Sequence, residues 1–152
     1  KKALADIYRA MGTPYLDLPK PVRGDIRDGQ MDAVVSSAKY LNENMEKAPV
    51  MMIPLIEGRP EGADAGMQAS FWGSLLPAVW SFMLALRERG IGTAWTTLHL
   101  IGDGEKKAAE LLGIPYQHYT QGGLFPIAYT KGTDFKLAKR LPAEQLTHWD
   151  SW

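Results

Sequence analysis

Between Ala69 and Leu86 the chain runs for 18 residues without a charge, and this stretch limits the possible folds more than any other. Phe71, Trp72, Leu75, Leu76, Val79, Trp80, Phe82, Met83, Leu84 and Leu86 cover every direction of a 3.6-residue wheel. A helix here has no face to give to water. Arg87, Glu88 and Arg89 restore charge. Gly90 and Gly92 then supply the permissive backbone that ends a helix and turns the chain.

About 20 apolar residues cross a bilayer, but Ser70, Gly73, Ser74, Pro77 and Ser81 dilute this run and the chain holds no second candidate. The reading is therefore not a membrane span. It is a helix buried between its own subunit and an equally apolar surface, most simply a second copy of the chain. Pro77 removes one backbone donor and crowds the preceding turn, which predicts a kink.

A chain of 152 residues suits one domain with a real core. Its 17 Lys and Arg balance 17 Asp and Glu, leaving no electrostatic footprint for nucleic acid or an anionic membrane. Without cysteine there is no disulfide, thiolate zinc site or cysteine nucleophile. His99, His118 and His148 show no ligand spacing, so no metal is expected. Five Trp, six Tyr and seven Met suit a flat ligand and an ordinary core equally. No secretory h-region opens the sequence. A cytoplasmic protein is expected, and the start at Lys1 rather than methionine points to residues removed upstream.

Taken in order, Lys1–Met11 has amphipathic spacing, with Leu4, Ile7, Tyr8 and Met11 on one side, and Gly12 and Pro14 are expected to end the helix. Thr13–Gly24, with three prolines, reads as an ordered loop. Gly29–Met45 is a helix with Met31, Val34, Val35, Ala38, Leu41 and Met45 inward. Val50–Glu57 reads as a buried strand, though Pro54 argues for an edge or a bulge. After the mobile loop Gly58–Gly66 come the long helix and the Gly-Ile-Gly turn. Asp103 is a good N-cap for a short helix, Glu105–Leu112, stopped by Gly113 and Pro115. Gly123–Thr130 is the second convincing strand, and Lys131-Gly132-Thr133-Asp134 a turn. Trp149 and Trp152 in the tail call for docking, with a partner subunit as one candidate surface.

Taken together, LPAVWSFMLALRERGIGTAWTT, LLGIP, GLFPIAYTKGTDF and the terminal AKRLP and EQLTHWDSW resemble the C-terminal two-thirds of the FMN-dependent nitroreductase family, over roughly 50–152. No one motif is specific; their succession is. The resemblance implies an α+β fold, a central mostly antiparallel sheet flanked by helices, and a long buried helix at a homodimer interface. It also implies one FMN per subunit at that interface, and two-electron transfer from NAD(P)H to a nitroaromatic, quinone or similar small-molecule acceptor. The family's opening Arg-Arg-Ser-x-Arg segment and its Asn-x-Gln-Pro-Trp-like strand entry do not occur here. A single domain lacking its N-terminal third is therefore expected. That leaves open a flavin-binding or dimerisation module without turnover.

A flavin asks for cations at its phosphate, a backbone donor at the N5/O4 edge and one open ring face. Lys139 and Arg140 are the candidates for the phosphate. Within the resemblance, the backbone of Thr96, Thr97 and Leu98 faces the flavin edge, with Trp95 walling the pocket. Ser74 and Pro77 line the partner's flavin site from the long helix. No residue is assigned a catalytic role, Tyr116, His118 and Tyr119 included.

Overall fold

The structure is a computed structural model that describes residues 1–132 and 134–152. The expected turn at 131–134 includes Thr133, which lies outside them. Four helices, α1 (Lys2–Leu16), α2 (Met31–Asn44), α3 (Ala65–Glu88) and α4 (Gly104–Leu112), accompany five short strands. These are β1 (Val50–Met52), β2 (Leu55–Glu57), β3 (Ile91–Thr93), β4 (Tyr119–Gln121) and β5 (Phe125–Tyr129).

The core is built on α1. Leu4, Ala5 and Tyr8 pack with Met45, Ala108 and Leu124, and Leu41, Met51, Ile53 and Leu98 close around them. Gly12 and Pro14 do not end this helix, which continues to Leu16. Gly12 is buried; a Cβ there would lie 3.0 Å from Leu98 Cδ1 and 3.2 Å from Asn42 Oδ1. It permits close packing rather than a stop. Pro14, in the last turn, forfeits only one helical bond. Along α2 the inward residues are Met31, Val35, Ala38 and Leu41, followed by Met45, whereas Val34 is exposed.

The run from Val50 to Glu57 is not one strand. β1 pairs antiparallel with β5 (Val50 opposite Ile127, Met52 opposite Phe125), and β3 flanks β5 on its other side (Thr93 opposite Ile127). Beyond Pro54, β2 pairs with β4 (Leu55 opposite Gln121, Glu57 opposite Tyr119). Between Met52 and Leu55 stand two residues; between Gln121 and Phe125 stand three. Gly122, Gly123 and Leu124 therefore form a β-bulge that shifts the register by one. Gly123 takes φ +141°, open only to glycine, and Gly122 N–H donates to Pro54 O at 2.9 Å. Of the edge or bulge expected at Pro54, the structure has the bulge, with Pro54 on one side of it.

Two strands were not visible in the sequence, β3 and β4, each three residues long. Gly92 sits in β3, where its missing Cβ makes room for Thr130 Cγ2. Of Gly90 and Gly92, it is Gly90, φ +70°, that ends α3. Asp103 stands at the N-cap of α4 but makes no capping bond; its carboxylate pairs with Lys107 at 3.0 Å instead.

α3 runs through Pro77 without interruption and packs on β3. A single chain does not bury it: Val79 is its one buried residue, while Met67, Trp80, Phe82 and Leu84 are exposed. Among the described residues it is the one helix long and apolar enough to cross a membrane, with a mean hydropathy of 1.4. The tail is similarly uncovered. Trp149 and Trp152 are exposed, and among the described residues Trp152 stacks only on its tail neighbour His148, at 4.4 Å between ring centroids.

Candidate functional site

The segment after β3 lines a cavity of about 560 Å³, between α1, α2 and residues 94–98. Trp95, Thr96, Thr97 and Leu98 all contribute to its wall, opposite Tyr8, Tyr15 and the small residues Ala33, Ser37 and Ala38. Among the described residues no charged side chain lines it.

The bulge sets this wall. With Gly122 and Gly123 out of register, Leu124 is released from β1 and forms a bridge with Thr96. Thr96 N–H donates to Leu124 O at 3.1 Å, and Leu124 N–H donates to Thr96 O at 2.8 Å. The Tyr8 and Thr96 hydroxyls share a further hydrogen bond at 2.8 Å. Trp95 Nε1 donates to Gly122 O at 3.0 Å, and the indole packs against Phe125 at 5.4 Å between ring centroids. A Cβ on Gly123 would stand 2.6 Å from Trp95 Nε1. Gly123→Ala therefore meets both a forbidden φ and an occupied space. Its expected cost is about 1–3 kcal/mol, read as a lower Tm with a changed tryptophan emission.

Of the three amides expected to face a ligand, Thr96 is thus already bonded to the sheet. Thr97 and Leu98 are not: among the described residues neither N–H has a protein acceptor. Their carbonyls accept from Leu100 and Ile101 N–H and close the turn Leu98–Leu100. Free donors are ordinary at the start of such a turn; here they belong to residues that line an apolar cavity, where a ligand's acceptor atoms can meet them.

Lys139 and Arg140 approach from the tail. Gln30, a lining residue, donates from Nε2 to Lys139 O at 2.9 Å, and Arg140 Nη1 donates to the same oxygen at 3.2 Å. Both basic residues are exposed and neither lines the cavity; the Lys139 carbonyl is what meets the lining residue Gln30. Ser74 and Pro77 are elsewhere. They lie exposed on α3, Ser74 Oγ donating to Ser70 O at 2.9 Å, and share no cavity with Trp95–Leu98.

The sequence reading attached no function to Tyr8, Tyr15, Gln30 or α2. The available signal was the small residue Ala33 with Ser37 and Ala38 one turn further along α2, which leaves space against α1. A polar cluster behind the wall was also missed. Arg59 Nη1 and Nη2 donate to Glu105 Oε1 and Oε2, both at 3.0 Å. The same guanidinium bonds Glu61 and lies 4.3 Å from the Tyr116 ring centroid. Tyr116, given no role in catalysis, helps to hold that arginine.

Comparison with curated proteins returns no significant match. Among solved structures, the chain is similar to a BluB-like flavoprotein from Clostridium difficile 630. The two share 17% identity and a TM-score of 0.56, over 99% of this chain and 74% of that one. At that identity the likeness concerns the fold, a mixture of helices and antiparallel sheet of nitroreductase type. A family model, that of the nitroreductase family, matches residues 5–129. The match begins well before Val50, taking in α1 and α2, and stops before the tail with Lys139 and Arg140. With most of its length matched and its fold in agreement, the chain belongs to the nitroreductase family.

Proposed function

We propose that the cavity takes the isoalloxazine ring of FMN and that the protein is an FMN-dependent oxidoreductase. It would carry two electrons from NAD(P)H to nitroaromatic, quinone or related small-molecule acceptors. Family membership supports a flavin oxidoreductase in general. The observation that supports the finer reading is the pair of N–H groups at Thr97 and Leu98, without a protein acceptor among the described residues, on two residues that line an apolar cavity of about 560 Å³.

The residues present fit the ring end of the cofactor. Thr97 and Leu98 N–H would donate to the N5/O4 edge, and Trp95, held by Gly122 O, would wall the pocket. Thr96, bonded to Leu124 and Tyr8, keeps that wall from drifting. The uncharged lining cannot neutralise a phosphate, so that group would lie at the rim, where Arg140 can fork onto its oxygens and Lys139 can add a point charge. Bound there, the flavin supplies the redox chemistry; the protein orients it and excludes water.

The same reading includes a homodimer. The exposed apolar length of α3 would be covered by a second copy, with Ser74 and Pro77 on that face beside the partner's flavin. This arrangement accounts for the long apolar helix without a membrane and is consistent with a soluble, cytoplasmic protein.

The purified protein is expected to be yellow, or to turn so on titration with FMN, and to bleach when NADPH or NADH is added anaerobically. A colourless protein indifferent to FMN contradicts the cofactor assignment. A yellow protein that neither nucleotide bleaches is a binder without turnover. Arg140→Ala should weaken FMN binding by about tenfold through loss of charge-assisted bonds. An unchanged affinity would remove Arg140 from the site.

A further inference from the structure

Immediately after the two free amides stands His99, with 0% of its surface exposed. Its Nε2 lies 3.1 Å from Gln121 Oε1. The direction of that bond follows from the rest of the cluster. Gln121 Nε2 donates to the Glu105 backbone carbonyl at 2.9 Å, and Gln121 N–H donates to Glu105 Oε1 at 3.0 Å. The amide orientation is thereby set, and its oxygen faces the imidazole. An oxygen can only accept, so His99 Nε2 carries the hydrogen. Nδ1 is buried with no protein partner; a proton there would be a buried donor without an acceptor. Burial keeps the ring neutral, and the tautomer has one stable form.

The backbone of His99 is closely packed against the start of α4. An added Cβ on Gly104 would fall 2.1 Å from His99 O, so the start of α4 can close on this carbonyl only because residue 104 is glycine. Glu105, next in α4, is gripped by the Arg59 fork. Gln121 is the last residue before the bulge that releases Leu124 to Thr96. The wall of the cavity is thus tied to the β4–β5 junction twice, at Thr96 through Leu124 and just beyond Leu98 through His99.

We propose that His99 is a positioning residue whose Nε2–H bond to Gln121 fixes the turn that carries the Thr97 and Leu98 amides at the cavity wall. The role rests on the FMN reading above, because an edge-binding ligand is what those amides would meet. His99 itself touches no cofactor. Its contribution is to hold two donors in the direction that a flat ligand's edge demands, which lowers the cost of ordering them on binding.

The test uses protein loaded with FMN labelled with ¹⁵N at N5, comparing wild type, His99→Gln and His99→Leu. The glutamine amide can replace the ring donor toward Gln121 Oε1. The expected result is a wild-type N5 chemical shift and an affinity within about twofold for His99→Gln. For His99→Leu, the N5 signal moves toward that of free FMN and Kd rises about tenfold, the scale of one lost hydrogen bond. A merely structural loss would lower Tm without moving the N5 signal. If His99→Leu does not fold, Gln121→Met removes the acceptor instead and should give the same N5 displacement. A folded His99→Leu, or Gln121→Met, with the wild-type N5 shift and Kd overturns the role of His99 while leaving the cofactor reading intact. Wild-type protein that takes up no FMN overturns both.

Discussion

On the homodimer proposed above, Trp80→Asp is expected to leave a folded monomer. In a single chain Trp80 is 55% exposed on α3, so a carboxylate at that position stays in water and costs the monomer little. Against a second copy of the same face, the charge would be buried without a partner, at a cost of several kcal/mol, about 3–5. Leu76, on the same helix, is half-buried on its own subunit, and a charge there would weaken the monomer as well. Light scattering with a parallel thermal melt separates the two effects. A Trp80→Asp protein that remains dimeric with an unchanged Tm would show that α3 is covered in some other way.

Acidification is expected to destabilise the protein between about pH 6.5 and pH 4, and His99 is the reason. Burial pushes its pKa down from 6.5 to about 4, the bond to Gln121 and the charge of Glu105 opposing this only in part. Above pH 6.5 the ring is neutral in both states and nothing is lost. As pH falls through this window the unfolded chain takes up a proton that the folded chain refuses, and stability drops toward a limit near pH 4. At about 1.4 kcal/mol per pKa unit the total is roughly 3 kcal/mol. The hydrogen-bonded carboxylates act lower. Asp25, held by the Arg27 guanidinium, is shifted down to about 2, and its contribution is lost only below the ordinary aspartate range. Urea midpoints measured from pH 7 to pH 4.5 should therefore fall in the wild type and stay nearly flat in His99→Gln. Parallel slopes in the two proteins would assign the acid sensitivity to other groups.

What the sequence made legible was the part with long periodicity or bulk. Eighteen uncharged residues announce α3, and the amphipathic spacings announce α1, α2 and α4. Absence of charge says that water is to be excluded, though not by what, and α3 is accordingly exposed in one chain. The small strands escaped because three residues carry no alternation worth reading. Pro54 signalled an edge or a bulge without deciding between them, because the other half of the bulge lies on the opposite strand, at Gly122 and Gly123, and register is a property of a pair rather than of a segment. For the same reason Gly90 and Gly92 attracted the attention that belonged to Gly122 and Gly123. Trp95–Leu98 were identified by resemblance, yet only the bridge to Leu124 explains why Thr96 is bonded while Thr97 and Leu98 remain free. The facing wall, from Tyr8 to Ala38, lies in the third of the chain for which the resemblance offered no motif.

The central claim is that the Thr97 and Leu98 amides face a flat cofactor in the cavity between α1 and α2. Amide ¹H–¹⁵N spectra of the protein titrated with FMN test it directly. The account predicts that the largest shifts fall on Thr97 and Leu98, with Thr96, bonded to Leu124, moving less, and that both free amides become protected from exchange with solvent. FMN binding that leaves Thr97 and Leu98 unmoved would contradict it.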